Sequence, residues 1–222
     1  MMAVGSAFAA CTNATLNGVW GYQVGTAVGQ FTADGQGNLT GSQTVNQNGT
    51  ILSQTFSGTY SVAKSCTGSV TFNINGGGSG SANFVLDEGK KGMQIIDTIS
   101  GGVAEGIGLA RGVVTCGLPG KKATYAAELL GKINGTGPIG YVFQAILDGN
   151  GNVTGSGTFD VNGTISTGSV TGTYTQNSDC TGTLHIATPV TLNFASLVVA
   201  AGKEILLVDI DSSAAAAGNM QK

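Results

Sequence analysis

The chain has 222 residues, of which 9 are Lys or Arg and 12 are Asp or Glu, giving a formal net charge of −3. So few basic residues, scattered along the chain, predict no nucleic-acid partner, and no apolar run reaches the roughly 18 residues of a membrane span. Apolar residues still make up 41% of the chain, which is enough to bury a core and argues against disorder. The many Thr and Val residues favour strands, and the 38 Gly residues favour turns.

Residues 1–10, MMAVGSAFAA, form a small, apolar and uncharged N-terminal arm. The arm resembles the end of a secretory signal peptide, although it lacks a basic start and a full apolar core. A segment of this kind can also pair, as a donor strand, with the exposed sheet edge of a neighbouring molecule. Both interpretations stay open: a leader remnant, or a strand for self-association. The residues that would form such a strand are Met2, Ala3, Val4, Ala7, Phe8 and Ala9.

The remainder of the chain contains an internal duplication. Residues 31–72 and 145–186 align without gaps and share 18 identities in 42 positions. The offset between the copies drifts before and after this window, which indicates small insertions in loops. We therefore expect one β repeat over residues 11–113 and a second over residues 114–222. Each repeat, of about 105 residues, is long enough for one small core.

Apolar and polar residues alternate within each repeat, as in half-buried strands. Phe56, Gly58, Tyr60 and Val62 fall on one face of a predicted strand, and Asn-Gly pairs mark tight turns. Residues 121–132 are the best candidate for a helix, but their counterpart in the first repeat has a strand pattern, so we expect strands in both. The predicted fold is all-β: two tandem homologous domains, each a β-barrel or β-sandwich of roughly seven or eight short strands.

Each repeat contains two cysteines. Four cysteines allow three pairings, and the duplication favours pairing within each repeat, because the ancestral unit should have closed on itself. The predicted disulfides are Cys11–Cys66 and Cys116–Cys180, one in each domain. Disulfides persist in oxidising compartments, so we expect a secreted protein, extracellular or at the cell surface.

Three of the four short motifs of the first repeat recur in the second, which has CGLPGKKAT in place of the first motif. The first repeat reads CTNATLNG, DGQGNLTG, SGTY and CTGS, and the second keeps DGNGNVTG, TGTY and CTGT. This pattern resembles that of uncharacterised secreted bacterial β-repeat proteins rich in Gly, Thr and Asn. The resemblance covers most of both repeats and implies export and an all-β fold. It implies no activity.

The repeated Asp-Gly-x-Gly-Asn loops are weak candidates for calcium sites, through Asp34 and Asp148. Calcium sites usually collect several carboxylates, whereas each loop supplies one. Hairpin turns, in which Gly and Asn adopt positive φ, are the better interpretation. We therefore predict no cofactor and no metal.

The sequence offers no convincing catalytic set. His185 is the only histidine, and its position in an alternating strand predicts that it faces away from the core. Asp97 and Asp209 are equivalent in the two repeats and lie near strand ends, but the remaining carboxylates are dispersed and predict no facing pair. We therefore expect a protein that is not an enzyme.

Aromatic residues recur in register, as in the pairs Trp20 and Tyr125, and Tyr60 and Tyr174. Their apolar faces favour core packing. Exposed rings would instead offer a platform on which a sugar could stack. A glycan is therefore a possible partner.

Two functions from different classes fit these patterns. The leading expectation is an extracellular structural protein that associates with itself, as a homo-oligomer or as a filament joined by strand addition of residues 1–10. Scarce charge leaves little to oppose edge pairing. The alternative is a secreted module that binds a carbohydrate or a small apolar ligand in a barrel mouth or on exposed aromatics.

Overall fold

A computed structural model describes residues 10–99, 103–112, 116 and 122–222 of the chain. The fold is all-β and consists of two eight-stranded barrels, as the duplication predicts. Both sheets close completely, so the barrel alternative is correct and the sandwich is not. Residues 1–9 of the predicted N-terminal arm lie outside the described residues.

The first barrel is an antiparallel meander in which each strand pairs with the next and β8 pairs with β1. It is preceded by a short 3-10 helix, Asn13–Leu16. The strands are β1 (Gly18–Val24), β2 (Ala27–Ala33), β3 (Asn38–Gln47), β4 (Thr50–Val62), β5 (Thr67–Ile74), β6 (Ser79–Leu86), β7 (Gly92–Asp97) and β8 (Glu105–Ala110).

The second barrel repeats this topology, and its last strand pairs with its first. The segment that looked most helical in the sequence is its first strand, as predicted. The strands are β9 (Ala123–Ile133), β10 (Gly137–Leu147), β11 (Asn152–Val161), β12 (Thr164–Gln176), β13 (Thr181–Thr188), β14 (Leu192–Val199), β15 (Glu204–Asp209) and β16 (Ala214–Gln221). A second 3-10 turn, Ala200–Gly202, joins β14 to β15.

The predicted Asn-Gly turns form equivalent hairpins in the two barrels. Asn48 and Gly49 have φ values of 52° and 91°, and Asn162 and Gly163 have φ values of 51° and 83°. Two successive positive φ angles define the tight hairpin turn that matches the twist of antiparallel strands. The alternating residues of the flanking strands are thereby fixed in register, one face inward and one outward.

One end of the first barrel is closed by the segment that the disulfide holds. Cys11 is bonded to Cys66, as Cys116 is to Cys180 in the second barrel. The 3-10 helix covers the opening, and its Leu16 is buried. The Trp20 Nε1 donates a hydrogen bond of 2.8 Å to the Leu16 carbonyl. This closed end forms the floor of the barrel interior.

The two barrels pack side by side through β1 and β2 of the first and β14 and β15 of the second. Gly21 lies at the contact, where an added Cβ would approach Val199 Cγ1 to 2.3 Å. Since β15 faces the first barrel on one side and its own core on the other, residues 205–209 are all buried. Asn46 fixes the contact at one edge, because its Nδ2 donates to the carbonyls of Asp209 (3.0 Å) and Ala214 (2.8 Å).

None of the described helices is long and apolar enough to cross a membrane.

Candidate ligand cavity in the first barrel

The interior of the first barrel contains a cavity of about 650 Å³. It extends from Leu16 at the floor to the opposite end, where Thr26, Gly78 and Asp97 line the mouth. Cavities that bind small molecules commonly have volumes of about 300–1,000 Å³, and eight-stranded barrels can hold one such ligand. The cavity is therefore of a size suited to a small molecule.

Toward the mouth, the cavity is lined by small residues at positions where the second barrel has large ones. The strand registers establish the equivalence: Ala27 pairs with Val45 as Tyr141 pairs with Phe159. Likewise, Ala82 pairs with Asp97 as Phe194 pairs with Asp209. The first barrel has the smaller residue in the pairs Ala27 and Tyr141, Val45 and Phe159, Gly80 and Leu192, and Ala82 and Phe194. At other inward positions the relation is reversed, as in Tyr22 and Ala127, and Phe31 and Ala145.

The large residues fill the second barrel. Tyr141, Phe159 and Phe194 are exposed by only 2%, 1% and 0%. The rings of Tyr141 and Phe159 meet edge to face, with centroids 5.3 Å apart, an arrangement that aromatic pairs favour. The same fold therefore has a solid core in one copy and a cavity in the other.

The wall of the cavity is largely aromatic. Tyr22 lies 6.1 Å from Phe31 and 6.3 Å from Phe56, measured between ring centroids. Phe56 in turn lies 5.2 Å from Phe72. Gly41 provides the room for this cluster, because a Cβ there would lie 2.5 Å from the Phe56 ring. Such a wall offers dispersion contacts and apolar surface to a ligand.

A short chain of polar groups crosses this wall. The Tyr22 hydroxyl donates to Gln43 Oε1 at 2.6 Å, and Gln43 Nε2 donates to Gln54 Oε1 at 2.8 Å. Deep burial raises the pKa of the Tyr22 phenol, which therefore stays a neutral donor. Within the described part of the chain, Gln54 Nε2 has no hydrogen-bond partner, so it can donate to a ligand.

Asp97 lies at the mouth and is the one charged side chain among the described residues that line the cavity. Its Oδ1 accepts a hydrogen bond of 2.7 Å from the Ile99 amide. Asp209 makes the same contact in the second barrel, where its Oδ1 accepts from the Asp211 amide at 2.7 Å. Asp97 and Asp209 are the last residues of β7 and β15, as predicted.

The two aspartates differ in their surroundings. Asp97 is half-buried beside Ala82, whereas Asp209 is fully buried beside Phe194. Burial raises the pKa of the Asp209 carboxyl to about 7, and the neighbouring Asp211 adds to the effect. Asp209 Oδ2 is buried without a hydrogen-bond partner. The large core residues of the second barrel therefore enclose Asp209, whereas the equivalent Asp97 borders the cavity of the first barrel.

Asp34 and Asp148, the weak calcium candidates, use their carboxylates to hold their own turns. Asp34 Oδ1 accepts from the amides of Gln36, Gly37 and Asn38, and its Oδ2 accepts from the Asn38 side chain. These bonds, led by that of the Asn38 side chain, lower the Asp34 pKa to about 2. Asp148 is held by Asn150 and Asn152 in the same way, and its pKa is also lowered. Both loops are therefore self-contained turns.

Several other candidates lie apart from the cavity mouth. Trp20 and Tyr125 are buried to 2% and 1% exposure, so neither ring is a platform for a sugar. His185 faces away from the core, as predicted, since the flanking Leu184 and Ile186 are buried, but it is half-buried and not exposed. Its Nδ1 lies 2.8 Å from Asn193 Oδ1. No three His, Cys, Asp or Glu side chains come close enough to hold a metal ion in the described ranges.

The self-association residues Met2, Ala3, Val4, Ala7, Phe8 and Ala9 lie outside the described residues, so filament formation stays a prediction. Every described strand has a hydrogen-bonded neighbour on both sides. Neither barrel therefore offers a free sheet edge with which a donor strand could pair.

No protein-family model and no curated protein matches the chain.

Proposed function

We propose that the protein is a carrier or receptor module that binds one small apolar molecule inside its first barrel. The observation that carries this proposal is the cavity of about 650 Å³ beside a filled copy of the same barrel. An aromatic wall, a free amide of Gln54 and a mouth opposite the disulfide end are the features of a binding pocket with a fixed orientation.

The cavity is not imposed by the fold. The second barrel closes with the same strand order and fills its interior with Tyr141, Phe159 and Phe194. An empty apolar space lowers stability by about 24 cal/mol per Å³ in mutational series. A barrel that retains such a space gives up stability, and ligand binding offsets that loss.

The second barrel serves as a rigid support in this proposal. It buries one flank of the first barrel, at Gly21, and holds the β3–β4 hairpin through Asn46. Export forms part of the same proposal, because one disulfide in each barrel suits an oxidising compartment. A secreted binding module would meet its ligand outside the cell.

The test fills the cavity with the residues of the second barrel. The double variant Val45→Phe, Ala82→Phe places two phenyl rings at the positions of Phe159 and Phe194. The neutral probe N-phenyl-1-naphthylamine gains fluorescence in an apolar site, and we expect saturable binding by the wild type. The double variant should weaken this binding by at least about 100-fold, because its rings occupy the space.

A control separates cavity filling from added surface hydrophobicity. Asn83 lies next to Ala82 on the same strand and is exposed. Asn83→Phe therefore adds one ring outside the barrel and should bind the probe as the wild type does. The proposal is wrong if the wild type does not bind the probe, or if the folded double variant binds it equally well.

A further inference from the structure

We propose that the ligand of the first barrel is an amphiphile with a protonated amine, which lies against Asp97 while its apolar body fills the cavity. This inference rests on the proposed function and specifies the chemistry of the same site. It follows from the charges at the mouth, from the free oxygen of Asp97 and from the space beside that oxygen.

The charge at the mouth has one sign. Among the described residues that line the cavity, Asp97 is the sole charged side chain, and Lys, Arg and His are absent. An anionic head group such as a carboxylate would lie near a like charge with no cation to neutralise it. A cationic head group would gain an ion pair at the boundary between cavity and solvent.

Asp97 has capacity for a donor. Its Oδ1 already accepts from the Ile99 amide. Its Oδ2 has no hydrogen-bond partner within the described ranges. A carboxylate that accepts only one hydrogen bond retains further lone pairs, and a charge-assisted bond from an ammonium group is stronger than a neutral one.

The space beside Asp97 is open for such a group. Asp97 pairs across the sheet with Ala82, and both line the cavity. In the second barrel the equivalent partner is Phe194, which is fully buried next to Asp209. Because this position is Ala82 in the first barrel and Phe194 in the second, Asp97 has access to the interior of its barrel and Asp209 does not.

The position of Asp97 also orients the ligand. The floor, at Leu16 and Leu39, is apolar and buried, whereas the carboxylate lies at the end of β7 that borders the mouth. An apolar chain would enter first and extend toward the floor. The amine would remain at the mouth, where it keeps part of its hydration.

The experiment compares three probes with the same ten-carbon chain: decylammonium, decanoate and 1-decanol. Each competes with N-phenyl-1-naphthylamine for the full-length protein at pH 7 and low ionic strength. We expect decylammonium to bind about tenfold more tightly than decanol, and decanoate to bind least tightly. The preference for the amine should shrink as salt is added.

Asp97→Asn should remove the preference for decylammonium over decanol, because the amide has no charge to pair with the ammonium group. Glu105→Gln is the matched control, because Glu105 is exposed, carries the same charge and does not line the cavity. Its preference should equal that of the wild type.

The outcomes separate this inference from the proposed function. If the wild type binds the neutral probe but prefers decanoate, or if Asp97→Asn keeps the amine preference, the inference is wrong and the cavity still binds apolar molecules. If the wild type binds none of the probes, the proposed function fails as well.

Discussion

Ala82 and Phe194 occupy the same inward position in two copies of one barrel, each paired across the sheet with an aspartate. Ala82 lines a cavity, and Phe194 is fully buried in a packed core. The difference in side-chain volume at this position is thus one of several that distinguish the two interiors.

Phe194→Ala should lower the free energy of unfolding by about 3–5 kcal/mol, because it opens a cavity in a packed core. Urea denaturation followed by circular dichroism measures this change. The reciprocal variant, Ala82→Phe, adds a ring where space already exists and should not lower stability by a comparable amount. Equal losses in the two variants would contradict the contrast between a filled and a hollow barrel.

Asp209→Asn should make the protein less sensitive to pH between about 4 and 7. Burial raises the pKa of Asp209 to about 7, so the folded state keeps its proton over a range in which the unfolded state releases it. The stabilisation that protonated Asp209 contributes to the wild type is therefore fully present below about pH 4 and is lost as the pH rises through 7. The variant should be more stable than the wild type at pH 8 by roughly 2–4 kcal/mol.

Thermal unfolding of both proteins from pH 4 to pH 8 measures the effect of Asp209→Asn. The difference in melting temperature should grow with pH and level off above about pH 7. A constant difference at all pH values would mean that Asp209 is ionised in the folded protein throughout this range.

Asp34→Ala should lower the melting temperature by a few degrees at pH 6, because the carboxylate accepts three loop amides and one side-chain amide. These bonds depress the Asp34 pKa to about 2. The stabilisation is therefore present above the ordinary pKa and is lost as the pH falls toward 2. Asp34→Ala and the wild type should converge in strong acid.

Calcium should not stabilise the protein, since the oxygens of Asp34 and Asp148 already accept bonds from their own loops. Scanning calorimetry with 5 mM calcium and with a chelator should give the same melting temperature. A rise with calcium that disappears in Asp34→Ala would restore the calcium interpretation of these loops.

Gly21→Ala should destabilise the contact between the barrels by about 1–3 kcal/mol. Its Cβ would lie 2.3 Å from Val199 Cγ1 and 2.7 Å from Leu197 Cδ2. Gly140→Ala is the matched control, because the nearest atom to its Cβ is Leu130 Cδ2 at an ordinary 3.4 Å. Chemical denaturation should show a loss in the first variant and little change in the second.

Much of the fold could be predicted from the sequence, because its signals are local. Cys11 and Cys66 fall within one copy of the duplication, and alternation such as Phe56, Gly58 and Tyr60 assigns the faces of strands. These patterns predicted two disulfide-bonded β domains with roughly seven or eight strands each. They did not distinguish a barrel from a sandwich, because closure depends on whether the first and last strands pair.

The cavity could not be predicted in the same way, because its volume depends on how all eight strands converge. Part of the signal was nevertheless present in the alignment of the repeats, where Val45 is aligned with Phe159. The same alignment places Phe31 against Ala145 and Phe56 against Val170, where the first copy has the larger residue, so side-chain volumes in the sequence do not show which copy is less filled. Asp97 was noted for its equivalence to Asp209, but its access to a cavity required the structure.

The hydrogen bonds of Asn46 have a consequence for how a molecule reaches the interior. They tie the β3–β4 hairpin, whose Gln47 borders the mouth, to the second barrel. The β3–β4 side of the mouth is therefore held rigid. On the β5–β6 side, Gly76 and Gly77 have positive φ and open space around them. We expect the mouth to widen on the β5–β6 side when a ligand enters or leaves. The second barrel would then determine the path of the ligand without contacting it.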